Sequence, residues 1–224
     1  MSTVSGTQIV VAVDGTSGSG KSSTCRGVAA RLGLRYLDTG AQFRAMTWWL
    51  LRRGVDVHDP AAVAALVRVP RIESGTDPAA PTIHVDGEDV AVAIRSDEVN
   101  AAVSPVSTVP EVRTRLLVLQ REIIGAGGIV VEGRDIGSVV CPDAQVKVFL
   151  TADAEARAAR RAAEEGGSDL TATEQSLRDR DRIDSGRAAA PLVMTDGAVH
   201  VDTTAYSLEE VVDLVVGLAQ RVHS

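Results

Sequence analysis

Gly15-Thr16-Ser17-Gly18-Ser19-Gly20-Lys21-Ser22 fits the pattern G-x-x-x-x-G-K-S and decides the fold of this chain. The spacing follows from what a polyphosphate needs. Glycines let the backbone wrap closely around an anion, with successive N–H groups aimed inward. Lys21 then sits against the β- and γ-phosphates, and the Ser22 hydroxyl is placed to ligate Mg²⁺. A helix beginning at Lys21 adds its positive end to the same anion. The flanks agree. Gln8–Val13 is an apolar, β-branched run suited to a buried strand, and Ser22–Leu32 has helical spacing with Gly33 as a stop. Strand, loop and helix in that order predict a nucleotide-phosphate loop.

Outward from the loop, Arg35–Asp38 reads as a short strand, and Thr39 as the cap of a helix running to about Arg53. Asp59-Pro60 opens another helix, with Pro60 at its first position. The pattern then changes. Arg71–Glu73, Thr82–Val85 and Asp89–Val92 alternate with period two, and Asp86-Gly87 is a hairpin signal, so a small antiparallel sheet is expected at about 71–94. Gly75–Pro81 reads as an exposed turn. Helix returns at Ser96, with a break expected near Pro105 and a second run from Val109 to Ile124. Ile129–Val131, Val146–Leu150 and Val199–Val201 read as strands. Glu155–Arg187 reads as two charged helices joined at Gly166-Gly167, and Leu208–Val222 as a closing amphipathic helix. Long crossovers between strands imply a parallel sheet. The predicted fold is three-layer α/β of the P-loop NTPase type: a central parallel sheet, helices on both faces, and a small antiparallel β insert.

Composition narrows the class. With 224 residues, 45% of them hydrophobic and only 3% aromatic, the core is built from Val, Leu, Ile and Ala. A net charge of −7 argues against a general nucleic-acid binder. Of 23 cations only Lys21 and Lys147 are lysines, and arginine's planar fork is the better partner for phosphate and base edges. Cys25 and Cys141 lack the spacing of a disulfide framework or a zinc site. No secretory segment or membrane-length apolar run is seen, so cytoplasmic residence without a membrane partner is expected. No dimer surface is evident, and a monomer is expected.

The phosphate loop alone does not choose a reaction. No N-K-x-D segment reads a guanine base, and the strand after Gly128 ends in Glu132-Gly133-Arg134-Asp135 rather than Asp-Glu. An arginine at a strand's carboxyl end favours an anionic acceptor. The chain closely resembles the bacterial cytidylate kinases over almost its full length. The markers are the loop with Asp14 before it, Leu37-Asp38-Thr39-Gly40-Ala41 with Phe43-Arg44, and Ile94-Arg95 with Glu98-Val99. Val112-Arg113, Gly133–Gly137, and Arg180–Arg187 leading into Ala190-Pro191-Leu192 complete the set. Two positions depart from the family pattern: Glu132 stands for aspartate, with a longer reach, and Thr39 for serine, with its hydroxyl kept.

The resemblance implies transfer of the γ-phosphate of ATP to CMP or dCMP with Mg²⁺. By it, Gly15–Ser22 and Ser23 bind ATP, and Ser22 takes the metal, with Glu132 reaching it through water. Thr39, Arg44 and Arg134 grip the monophosphate. Ser104, Arg113 and Asp135 read the cytosine ring with Arg187 close by, and Arg180 with Asp184 holds the ribose. Lys21, Arg134, Arg157 and Arg161 act on the transferring phosphate. Residues 1–38, 104–152 and 190–224 form the core, 39–103 the acceptor region, and 153–189 the lid with its following helix. The insert is expected to swing toward the acceptor. Spacing supports part of this, since Arg180, Asp184 and Arg187 share one helical face. The same charge pattern also fits a solvated face on which these arginines pair with Asp179, Asp181 and Asp184. Nothing in the sequence separates Arg157 and Arg161 from Arg160 between them. Another acceptor (UMP, AMP or shikimate) and a non-catalytic nucleotide-binding regulator are the alternative readings.

Overall fold

The computed structural model describes residues 8–164, 170–187 and 190–222. The apolar run before the phosphate loop forms β1 (Val10–Gly15), buried along nearly its whole length at the centre of a five-stranded parallel sheet. β6 (Ile129–Glu132) and β7 (Val146–Thr151) flank it, with β2 (Arg35–Asp38) and β8 (Val199–Asp202) at the edges. Continuous β-branched sequence in β1 and β6 suits strands covered on both faces. Val11, Val13, Val148 and Leu150 pack under α1 (Lys21–Leu32) and α8 (Leu208–Arg221), together with Cys25, Val28, Val212 and Val215. Ala12, Leu37 and Val131 face the other way, against Ile124 of α5 (Pro110–Ile124) and Ile136 and Val140 of a π-helical turn. Register sets the working edge: Val13 and Asp38 both pair with Glu132, so β2 and β6 end together and β1 runs two residues further to Gly15 beside β7.

A second core lies beyond β2. α2 (Thr39–Arg52), α3 (Pro60–Leu66), β3 (Ile72–Ser74), β4 (Ile83–Val85), β5 (Glu88–Asp89) and α4 (Asp97–Thr108) enclose Met46, Trp49, Leu50, Ile72, Val85 and Ile94. The hairpin signal holds, with Asp86 and Gly87 both at positive φ (52° and 85°). Asp86 sustains that conformation by accepting from the Trp49 indole (2.9 Å) and from Arg71 N (2.8 Å).

The structure corrects several expected boundaries. Thr39 is the first helical residue and not the cap; Asp38 caps α2 by accepting from Ala41 N at 2.9 Å. Pro105 does not break α4, which continues to Thr108. The break falls at Val109, held extended (ψ 120°) by Pro110 behind it. The third insert strand is only Glu88–Asp89, because Val90–Arg95 turns into a short 3-10 helix (Ala93–Arg95) that buries Ile94. The 75–81 turn is only partly free. Its Thr76 carbonyl accepts from Tyr36 N (2.9 Å) and its Pro78 carbonyl from Arg26 (2.8 Å), which covers the open edge of β2. The two charged helices are α6 (Ala154–Glu164) and α7 (Leu170–Gly186); their expected joint at Gly166-Gly167 lies outside the described residues. Among the described residues no helix is long and apolar enough to cross a membrane.

Candidate active site

The loop leaves the sheet at Gly15, where backbone geometry admits no side chain. A Cβ there would lie 1.9 Å from the Leu150 carbonyl oxygen, at φ +148°. Thr16 N donates to that same carbonyl at 3.2 Å. The loop then turns through Gly18 and Gly20, both at positive φ, and enters α1 at Lys21. Lys21 Nζ donates to Thr16 O at 2.6 Å, which folds the lysine back over its own loop. Burial and the nearby Arg134 guanidinium push its pKa down, against the pull of Glu132.

Behind the loop stands Glu132, at the end of β6. Its Oε2 accepts from the Ser22 hydroxyl at 3.0 Å, and Oε1 accepts from the buried Tyr36 hydroxyl. Burial, and then the Asp38 carboxylate, raise the Glu132 pKa. Burial and Glu132 likewise push the Tyr36 phenol far up. Ser22, Glu132 and Asp38 thus offer only hard oxygen donors, and the two carboxylates lie near enough to repel one another. That donor set suits Mg²⁺.

The loop opens into a cavity of about 800 Å³ whose far wall is cationic. Arg44 donates through Nη1 to Asn100 Oδ1 (2.6 Å) and Ile94 O (3.2 Å). Arg180 donates to Asn100 O (2.7 Å) from α7. Burial first, then repulsion from Arg180, Arg95 and Arg161, lowers the Arg44 pKa to about 9. Arg134 bridges the two sides, donating to Gly15 O at 2.9 Å and to Asp184 at 2.7 Å. Burial works to lower its pKa, but Asp184 outweighs that and holds it above the ordinary value. Asp184 shows the mirror image: burial works to raise it, and Arg134 and Arg187 hold it low.

Arg113 donates to Asp135 (2.5 Å) and to Ser107 O (3.1 Å), and its guanidinium stands over Phe43. Arg187 pairs with Asp184 at 3.4 Å while its Nε and Nη2 are buried without a hydrogen-bond partner among the described residues. Burial lowers the Arg187 pKa. Asp14 fixes the turn that carries Asp135, accepting from Ile136 N (2.7 Å) and Gly137 N (2.8 Å). Burial raises its pKa to about 6 despite those two donors.

Ser17–Ser23, Thr39, Arg44, Ser104, Arg113, Glu132, Arg134, Asp135, Arg161, Arg180, Asp184 and Arg187 all line the cavity. Gly15 and Thr16 are not among its lining residues. Arg157 is turned away from it, against Ser17 and Asp181. Thr39 reaches inward to donate to Glu132 O at 2.7 Å. The solvated-face alternative fails for Arg187, whose side chain is only 5% exposed. Sequence reasoning missed Asn100, which joins Arg44 to Arg180, and Ser107. It also missed the wall made by Arg160, Thr203, Tyr206, Leu208 and Val211. Arg160 was visible as an unranked neighbour; the rest are ordinary residues outside any motif.

A phosphate loop that shares one cavity with a second guanidinium cluster has places for two anions, and that is the arrangement of a P-loop kinase rather than of a motor or a switch. Solved structures agree on the fold: a gluconokinase from Sinorhizobium meliloti superposes at a TM-score of 0.52 with 16% identity, covering 96% of this chain and 94% of its own. The family model described as Cytidylate kinase matches residues 11–221, and the chain belongs to that family. A protein named cytidylate kinase from Streptomyces griseus is 59% identical over 214 residues, covering 95% of this chain and 93% of its own length. Its namesakes from Nocardia farcinica and Mycobacterium avium are 52% and 48% identical over comparable spans.

Proposed function

We propose that this chain transfers the γ-phosphoryl group of ATP to CMP or dCMP, giving ADP and the nucleoside diphosphate. The observation that carries the reading is the single cavity joining the phosphate loop to the Arg44 cluster. The triphosphate takes the loop, with its base against Thr203, Tyr206, Leu208 and Val211. The acceptor monophosphate takes Arg44, Arg134 and Thr39. Cytosine is read by Arg113 and Asp135, with the open Nε and Nη2 of Arg187 offered to its carbonyl edge and Ser104 beside it. Arg180 and Asp184 take the ribose. Uracil reverses cytosine's donor pattern and leaves these buried groups mismatched.

In the reaction the acceptor phosphate oxygen attacks the γ-phosphorus in line as the bond to the β-phosphate oxygen breaks. Lys21, Arg134, Arg160 and Arg161 neutralise charge on the transferring group, and positioning does most of the work. Mg²⁺, held by Ser22 with Glu132 and Asp38 in reach through water, would supply further charge neutralisation when bound. In this reading residues 39–103 receive the acceptor and 153–189 cover the donor, in a monomeric cytoplasmic enzyme.

The test is ADP release from ATP and Mg²⁺ with CMP, dCMP, UMP, AMP and shikimate offered separately. Turnover with CMP and dCMP alone is expected, and Asp135→Asn should lower the CMP-to-UMP preference by at least about tenfold. Equal turnover with UMP would discard the base-reading assignment. Hydrogen exchange in 71–94 should change on adding CMP; no change would discard the insert motion.

A further inference from the structure

Arg157 and Asp181 sit on different helices, α6 and α7, and meet as a nearly buried ion pair, with side chains 9% and 17% exposed. Their common target is one residue of the phosphate loop, Ser17, through the two peptide groups that flank it. Ser17 N donates to Asp181 Oδ1 at 3.0 Å, and Arg157 Nη1 donates to Ser17 O at 3.0 Å. The ion pair therefore holds both backbone polar groups of Ser17, N–H and carbonyl, on side chains that do not line the cavity. Gly18 presses on the same place: a Cβ there would lie 3.2 Å from the Arg157 Cβ. A second tie from α6 runs through Thr203, whose hydroxyl accepts from Arg160 (2.8 Å) and lies 3.1 Å from Ser19 O.

We infer that Arg157 and Asp181 act as a positioning clamp on the phosphate loop rather than as contacts to the transferring phosphate. The clamp keeps the Ser17 carbonyl, a negative dipole end, out of the polyphosphate cradle. It also sets the sign of the local charge. Asp181 lies against a loop built to hold a polyanion, and among the described residues Arg157 is the cation in direct contact with it, while Lys21 and Arg134 feel its charge from further off. Removing Arg157 alone should leave an uncompensated carboxylate beside the nucleotide, which is worse than removing both. One nitrogen, Nη1, makes both contacts, so lysine is expected to substitute for the arginine.

The inference rests on the ATP reading above, and binding and turnover separate the two. ATP affinity is measured by titration calorimetry with Mg²⁺ and no acceptor, on wild type, Arg157→Met, Asp181→Asn and the double variant. KM for ATP and for CMP is read alongside. Arg157→Met is expected to weaken ATP binding by roughly tenfold or more while KM for CMP stays within about threefold. Asp181→Asn should stay within about threefold of wild type, and the double variant should recover at least about fivefold over Arg157→Met. Arg157→Lys should stay within about threefold of wild type, which keeps the test readable if the methionine variant does not fold. A double variant no tighter than Arg157→Met would overturn the clamp. So would a loss confined to kcat with ATP affinity intact, the signature of a phosphate contact. Failure of the wild type to bind ATP would instead overturn the ATP reading itself.

Discussion

Arg44→Met should separate function from stability, because Arg44 is held in a place that costs the empty protein energy. The side chain is buried and faces other guanidinium groups, and its pKa falls from 12.5 to about 9. A drop of that size corresponds to at most about 5 kcal/mol against the charged form. Two charged hydrogen bonds, to Asn100 Oδ1 and Ile94 O, return about 1.5–3 kcal/mol each. The sum lies near zero. Methionine keeps most of the stem's packing without the charge, and Asn100 Oδ1 keeps a donor in Arg180, 3.3 Å away. The ligand-free variant should therefore melt within roughly 5 °C of wild type. An acceptor phosphate loses two charge-assisted donors, about 3–4 kcal/mol, or roughly 10²–10³-fold in kcat/KM for CMP. KM for ATP should move by less than about threefold. Coupled ADP release gives the kinetics, and thermal melting with and without CMP gives the stability; CMP should raise the melting point of wild type only. A variant that melts more than about 10 °C lower while keeping its KM for CMP would refute the argument, since Arg44 would then be structural.

Asp14 makes stability depend on pH. Its folded pKa of about 6 lies above the ordinary 3.8, so between those values the folded state holds more protons than the unfolded one. Its contribution is full below about pH 4, and is lost as pH rises to 6, by at most about 3 kcal/mol. Urea midpoints at pH 4.5 and 6.5 should show this decline shrinking in Asp14→Asn; an unchanged decline would assign it to other groups. Gly15→Ala drives a methyl into the Leu150 carbonyl and should cost about 2–5 kcal/mol, read by thermal melting, and should abolish ATP binding; a variant that still binds ATP would mean the loop can shift. Tyr36→Phe leaves the buried Oε1 of Glu132 without its donor and should cost about 1–3 kcal/mol in urea unfolding. The Mg²⁺ concentration for half-activation should rise with it, and no rise would detach Glu132 from the metal.

The sheet was legible because its cause is local. β-branched runs at Val10–Val13, Ile129–Val131 and Val146–Leu150, spaced by helix-length crossovers, leave little besides a parallel arrangement. Boundaries were less legible where two residues compete for one role. Asp38 and Thr39 are both good caps, and only the register of β2 beside β6 decides that Asp38 is the last strand residue and Thr39 turns inward to Glu132 O. Pro105 and Pro110 both break helices. Pro105 is tolerated inside α4, whereas Pro110 sits at a first helical position, where its missing N–H costs nothing. The third insert strand was overextended because alternation through Val92 looked like pairing. Val92 is in fact 89% exposed, on the way into the 3-10 turn.

The site divides along the same line. Charged residues were legible by type, because polyphosphates and base edges demand guanidinium and carboxylate groups, but their division of labour was not. Three of the four carboxylates lining the cavity are matched to a guanidinium: Asp38 to Arg95, Asp135 to Arg113, and Asp184 to Arg134 and Arg187. Arg44 instead donates to two neutral oxygens while other cations press on it. That difference concentrates positive charge around Arg44, a setting that suits a dianion. No spacing rule could have shown it, because it depends on Asn100, a neutral residue from a different helix that presents one oxygen to Arg44 and Arg180 together. The Arg44 end of the cavity is thus marked by a buried guanidinium held by neutral oxygens and crowded by other cations. In a chain of net charge −7, this local excess is a stronger guide to the acceptor than the overall balance.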